Sequence, residues 1–186
     1  MLRIEVEVKL KVGDKNGLDA RLDSLGARLL HPRELEDNRV YDFPDRDLMR
    51  RGAMLRIRIL ERGAFLTYKD RARVVSGAKT RNEIESVFPA SEATALTAII
   101  SAIGLLPVFR YQKYRTTWEV PGLLITFDET PIGDYFELEG EKPLIDRMAG
   151  RLGYQPEDYI TASYRDLYLD SSEGRSGPPD QMVFPA

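Results

Sequence analysis

The first residues alternate with a period of two. Leu2, Ile4, Val6, Val8 and Leu10 fall on one side, and Arg3, Glu5, Glu7, Lys9 and Lys11 on the other. That spacing predicts a β-strand with one apolar and one charged face. A 3.6-residue rhythm through Leu18, Leu22 and Leu25, stopped by Gly26, predicts a helix. Further alternating runs predict strands over 38–43, 53–60, 64–69, 81–88, 109–120, 123–130 and 134–140. Residues 53–69 and 109–130 read as hairpins, the second turning at Pro121-Gly122. Residues 71–79 read as an exposed loop. Helices are expected over 91–104, capped by Ser91 and ended by Gly104, then near 142–152 and around 157–168. Residues 171–186, rich in Ser, Gly and Pro, are expected to be a disordered tail after a domain spanning 1–170.

The pattern also repeats. Glu5-Val6-Glu7 stands 21 residues before Gly26, and Glu83-Ile84-Glu85 stands 21 before Gly104. An apolar pair follows each glycine, Leu29-Leu30 and Leu105-Leu106. Two related halves, each strand–helix–strands, are the expectation.

Charge patterning is the unusual feature. The charged faces carry arginine and glutamate in short strands with few neutral fillers. Arg56 and Arg58 share a face, as do Arg81, Glu83 and Glu85, then Tyr111, Lys113, Arg115, Thr117 and Glu119, then Tyr135, Glu137 and Glu139. Taken singly, each is most simply a wet face of an antiparallel sheet. Taken together, they suit a closed barrel of about eight strands with its charges inside and its apolar faces under helices. Such an interior needs a charged ligand, because burying ions without one is costly. Guanidinium forks and ammonium groups suit phosphate oxygens, and clustered carboxylates suit Mg²⁺ or Mn²⁺.

Composition narrows the chemistry. The chain has 186 residues, no cysteine, one histidine (His31) and a net charge of −3. Thiolate chemistry is excluded, and a His-based triad or zinc site is not expected. No apolar run approaches a membrane span, and no signal segment is evident, so a cytoplasmic protein is expected without membrane or nucleic-acid partners.

Glu5-Val6-Glu7-Val8-Lys9 resembles the ExExK signature of the CYTH family, the triphosphate tunnel metalloenzymes. Supporting motifs follow in family order: LRIR (55–58), LTYK (66–69), RNEIE (81–85), KYR (113–115), FDE (127–129) and GDYFELEG (133–140). The resemblance implies an α+β fold built on an eight-stranded antiparallel barrel with helices outside. It implies Glu5, Glu7, Glu137 and Glu139 as ligands of Mg²⁺ or Mn²⁺. Lys9, Arg56, Arg58, Lys69, Arg81, Lys113 and Arg115 would clamp phosphates, and Glu5, Glu7, Lys9, Glu83 and Asp128 would serve catalysis. Glu85 and Glu119 are equally well read as rim charges.

The implied activity is metal-dependent hydrolysis of a triphosphate, whether tripolyphosphate or a nucleoside or thiamine triphosphate. A class IV adenylyl cyclase is the alternative, and a non-catalytic polyphosphate or nucleotide binder a second. The His-Phe pair that precedes ExExK in bacterial cyclases is missing, and in ASYRDL (162–167) Ala162 stands where a lid motif has lysine. A homodimer through an exposed strand or C-terminal helix is compatible with the sequence.

Overall fold

The computed structural model describes residues 2–185. Ten strands and six helices follow in the order β1 (Leu2–Val12), α1 (Leu18–Ser24), β2 (Arg28–Asp42), α2 (Asp47–Arg51), β3 (Met54–Leu60), β4 (Gly63–Lys69), β5 (Arg73–Val75), β6 (Ala78–Phe88), α3 (Ala93–Ala102), β7 (Leu106–Val120), β8 (Leu123–Thr130), β9 (Gly133–Gly140), α4 (Lys142–Arg151), α5 (Tyr164–Asp170), α6 (Ser172–Ser176) and β10 (Gln181–Met182).

Eight of the strands close on themselves in the order β1-β9-β8-β7-β2-β3-β4-β6, with β6 returning to β1, and every pairing in the ring is antiparallel. The ring has an internal two-fold. Exchanging β1 with β6, β2 with β7, β3 with β8 and β4 with β9 reproduces the same neighbours. Each half is a strand, a helix and a three-stranded meander, the unit the repeated ExE–Gly pattern announced. At the β1–β6 seam the symmetry extends to side chains. Arg3 bonds Glu83 at 2.7 Å and Arg81 bonds Glu5 at 2.7 Å, with residues 3 and 81, and 5 and 83, in equivalent places.

The apolar faces point outward. Val8, Leu10, Ile125 and Leu138 pack beneath Ile145, Met148 and Ala149 of α4 and Leu22 of α1. Ile57 packs with Ile100 of α3, Leu48 of α2 and Tyr41. Burying these residues against helices, and not against one another, is what frees the barrel interior for charge.

Several boundaries depart from the periodic reading. β2 begins at Arg28, ten residues earlier than expected, because register shifts around His31 and Glu34 absorb Pro32 and scramble the alternation. Residues 73–79, expected as a loop, form β5 and the start of β6. Ser91 lies in a 3₁₀ turn ahead of α3 and caps nothing, whereas Gly104 ends the helical segment at φ 98°, as expected. The helix expected around 157–168 is a 3₁₀ turn at Pro156–Asp158 followed by α5, which is capped by Ser163 and Asp166.

The expected disordered tail is likewise corrected. α6 follows Ser171, and β10 pairs in parallel with Arg110–Tyr111 of β7. Met182 is buried among Phe109, Tyr111, Tyr135, Tyr164 and Tyr168. β8 reaches only as far as Tyr114 along β7, so the tail covers a strand edge that the ring leaves open. Composition suggested disorder because the few apolar residues of this segment are spent on one contact.

Candidate active site

Alternation along each strand aims every second side chain into the barrel. The interior is a cavity of about 440 Å³ lined by Glu5, Glu7 and Lys9 from β1, Arg56 and Arg58 from β3, Lys69 from β4, Arg81, Glu83 and Glu85 from β6, Lys113 and Arg115 from β7, and Glu137 and Glu139 from β9. These are the expected site residues with one exception. Asp128 is fully buried on the inner face of β8 beneath the clamp, where it accepts bonds from Lys113 (2.8 Å), Arg115 Nε and Nη2 (2.6 Å each) and the Tyr164 hydroxyl (2.6 Å). Its place is that of an anchor for the clamp. Glu119 pairs with Arg28 in solvent at the strand end and does not line the cavity, whereas Glu85 does, accepting from Arg58 (3.1 Å) and Thr67 (2.9 Å).

Within the barrel the charges form chains of alternating sign. Lys69 bridges Glu5 (2.5 Å) and Glu83 (2.6 Å), and Arg81 adds a bond to Glu5. On the facing wall Glu137 receives Lys9 and Arg115, with Lys113 3.9 Å away. The Tyr164 ring underlies Lys9 at 4.2 Å and Lys113 at 5.0 Å, a cation–π contact that packs α5 against the clamp.

Burial would raise the carboxyl groups, but cations override it at most of them. Glu83 is held at about 2 once Lys69 and Arg3 outweigh its burial, and Glu5 is lowered by Lys69 and Arg81 in the same way. Glu137 falls well below the usual range, against its burial, because Lys9, Lys113 and Arg115 surround it. Glu139 goes the other way, pushed up to about 7 chiefly by burial; Arg3 opposes the rise, and the nearby Glu5 and Glu83 add to it. The ion pair Glu139 makes with Arg3, at 2.8 Å, does not offset this crowding, so additional positive charge there would be stabilising.

Four interior residues escaped the sequence reading. Arg3 was visible on the charged face of β1, and its symmetry relation to Arg81 was the available signal. Lys79, 3.3 Å from Glu7, was lost to the segment read as a loop. Glu36 lies ahead of the strand read over 38–43, past the irregular start of β2, and Asn38 opens that strand but carries no charge to mark it. Glu36 is buried within 3.2 Å of Arg58 and 3.6 Å of Lys113, and those cations pull its carboxyl far down against burial. Asn38 is fully buried, and its amide makes no hydrogen bond among the described residues.

At one mouth the wall changes character. Met49, Ala53, Met54, Val108 and Phe109 line the cavity together with Arg46 and Arg165. The barrel can thus hold a compact polyanion along its charged length and has room at this end for an apolar group attached to it.

A family model, the CYTH domain, matches residues 3–164. A Methanocaldococcus jannaschii protein bearing the provisional name adenylate cyclase is 31% identical over 137 residues, 73% of this chain and 76% of that protein. Among solved structures, a Vibrio parahaemolyticus protein of the same provisional name superposes with a TM-score of 0.77 at 16% identity, covering 89% of this chain and 97% of that one. A Hippeastrum protein, provisionally an adenylyl cyclase and described as having a dominant triphosphatase activity, superposes with a TM-score of 0.64 at 21% identity, covering 88% of this chain and 94% of that one.

Proposed function

The chain belongs to the CYTH family, and on that premise we propose that it hydrolyses a triphosphate held inside the barrel, with the help of Mg²⁺ or Mn²⁺. The observation that carries this reading is the near balance of charge in the tunnel. Arg3, Lys9, Arg56, Arg58, Lys69, Lys79, Arg81, Lys113 and Arg115 are set against Glu5, Glu7, Glu36, Glu83, Glu85, Asp128, Glu137 and Glu139. A triphosphate brings several negative charges into a cavity that is already close to neutral. Cations must therefore accompany it.

The donors fit such ions. Glu5, Glu7, Glu137 and Glu139 offer hard oxygen, and Glu139 binds a proton up to about 7, in line with a demand for positive charge. Among the described residues no group of three or more His, Cys, Asp or Glu side chains forms a metal cage. Mg²⁺ is commonly held by one or two carboxylates together with substrate phosphates. When bound, the ion would supply Lewis-acid stabilisation of phosphate oxygens.

The chain's own residues do the rest. Arg56, Arg58, Arg81 and Arg115 fork onto the phosphate oxygens, and Lys9, Lys69 and Lys113 add point charge. Asp128 and Glu36 hold Arg115, Lys113 and Arg58 in place for the phosphates. Charge developing on the leaving oxygen meets fixed cations, and a glutamate of the wall, Glu83 or a β1 residue, orients the attacking water. Phosphoryl transfer needs positioning more than covalent chemistry, so the lack of cysteine and of an interior histidine is no obstacle.

A second reading is favoured by the names of the relatives and by the apolar mouth, which could seat a nucleoside. In it the ribose 3′-hydroxyl attacks the α-phosphate and pyrophosphate leaves. Phosphorus NMR of the products from tripolyphosphate and from ATP, each with Mg²⁺ or Mn²⁺, separates the two. Orthophosphate is the expected product. Cyclic AMP with pyrophosphate would replace hydrolysis by cyclisation. Tight binding of both compounds without turnover of either would make the barrel a sensor.

A further inference from the structure

The two halves of the barrel treat one strand edge differently. β1 pairs with β6 over Leu2–Glu7 and with β9 over Glu7–Val12. On the side facing away from β6, the main chain of 2–6 therefore has no strand beside it among the described residues. The equivalent edge of β6 is fully dressed. β5 pairs with Ala78–Thr80, the Asp70 N–H donates to the Asn82 carbonyl at 3.0 Å, and β4 takes over from Glu83.

The bare edge is also apolar on its outer face. Leu2 and Ile4 are 67% and 71% exposed, and Leu2 lies beside Ile84, itself 49% exposed. Its charged residues, Arg3 and Glu5, turn toward the tunnel. An edge without outward charge, proline or covering is one that sheets ordinarily avoid, because it invites another strand.

We propose that this edge docks a second copy of the chain, whose own residues 2–6 add antiparallel across a two-fold axis at Ile4. The sequence is self-complementary in that register. Ile4 faces Ile4, Leu2 faces Val6, and Arg3 faces Glu5 in both directions. Shifting the axis to Arg3 or Glu5 would set like charges opposite each other, which is destabilising. The resulting contact is isologous, uses the same patch twice and closes, so it builds a dimer and not a fibre. It extends one sheet across both barrels and covers the Leu2–Ile4–Ile84 patch. The proposal stands apart from the reaction assigned to the tunnel.

Cross-linking tests it directly, because the chain has no cysteine of its own. The two-fold brings the Cα atoms of residue 4 to about 4.5–5.5 Å, inside the span a disulfide bridges. Ile4→Cys should form a covalent dimer under mild oxidation of dilute protein, while Ile103→Cys, on a residue 65% exposed on the end of the α3 segment, should stay monomeric. Light scattering of the wild type should show a dimer that Ile4→Lys dissociates, with far-UV circular dichroism unchanged. A monomeric wild type, a dimer that survives Ile4→Lys, or cross-linking of Ile4→Cys no faster than of Ile103→Cys would each overturn the proposal.

Discussion

β4 and β9 occupy equivalent places in the two halves, yet their inner faces differ in chemistry. With Glu7 and Glu85 as reference points, the strand registers put Glu139 where β4 has Thr67, and Glu137 where β4 has Phe65. One strand further on the contrast reverses, since Arg58 of β3 stands where β8 has Thr126. The scaffold is symmetric and the charge is not. At these places carboxylates replace neutral side chains in one half and a guanidinium replaces a threonine in the other, so two like scaffolds present unlike charge to the tunnel. Symmetry here supplies a closed tunnel, and departures from symmetry supply its polarity.

The sharpest way to break this contrast is to remove the cation at Arg58. Arg58→Ala should lower kcat/KM for triphosphate hydrolysis by roughly 10²–10³, the scale set by a lost preorganised donor. Thr126→Ala at the matching place should cost far less, and phosphate-release kinetics of the pair would show the difference. Making the walls alike is the next test. Thr67→Glu places a carboxylate beside Glu85, which Thr67 now bonds, and should raise KM by about tenfold through like-charge repulsion with the substrate.

Smaller effects should appear in stability against pH. Glu83 titrates at about 2 in the folded protein against an ordinary 4.5. Its stabilising contribution is therefore complete above pH 4.5 and is lost as pH falls toward 2. Glu139 has the opposite sign, since its folded carboxyl holds a proton up to about 7. What it contributes is complete below 4.5 and is lost as pH rises through 7. Urea unfolding of the chelator-treated protein should show Glu83→Gln flattening the acid limb and Glu139→Gln flattening the decline toward neutral pH. Least of all, Glu119→Ala should change stability by less than about 0.5 kcal/mol by the same assay, because its pair with Arg28 is solvent-exposed.

Much of the tunnel was legible in advance because alternation is local. Once β1, β3, β6, β7 and β9 were recognised as strands, their charged faces followed from a period of two. Where a strand was cut short, its site residues were missed with it, as with Glu36 ahead of the strand read over 38–43, and Lys79 beyond the turn at Gly77. Asp128 and Arg115 illustrate a different limit. They share the inner face of adjacent strands, but only packing shows that Asp128 is covered by Lys113, Arg115 and Tyr164 and so kept off the cavity surface.

By itself the sequence determined the periodicity of each strand, the duplicated strand–helix unit, and the collection of arginine, lysine and glutamate on shared faces. These are properties of neighbouring residues, set by backbone geometry and side-chain type. Tertiary structure alone decided that the last residues are drawn into the sheet by β10, and which carboxylates bond cations and which crowd one another. Those outcomes depend on groups far apart in the chain, and their electrostatics arise only when strands β1, β6 and β9 are brought within a few ångströms of each other.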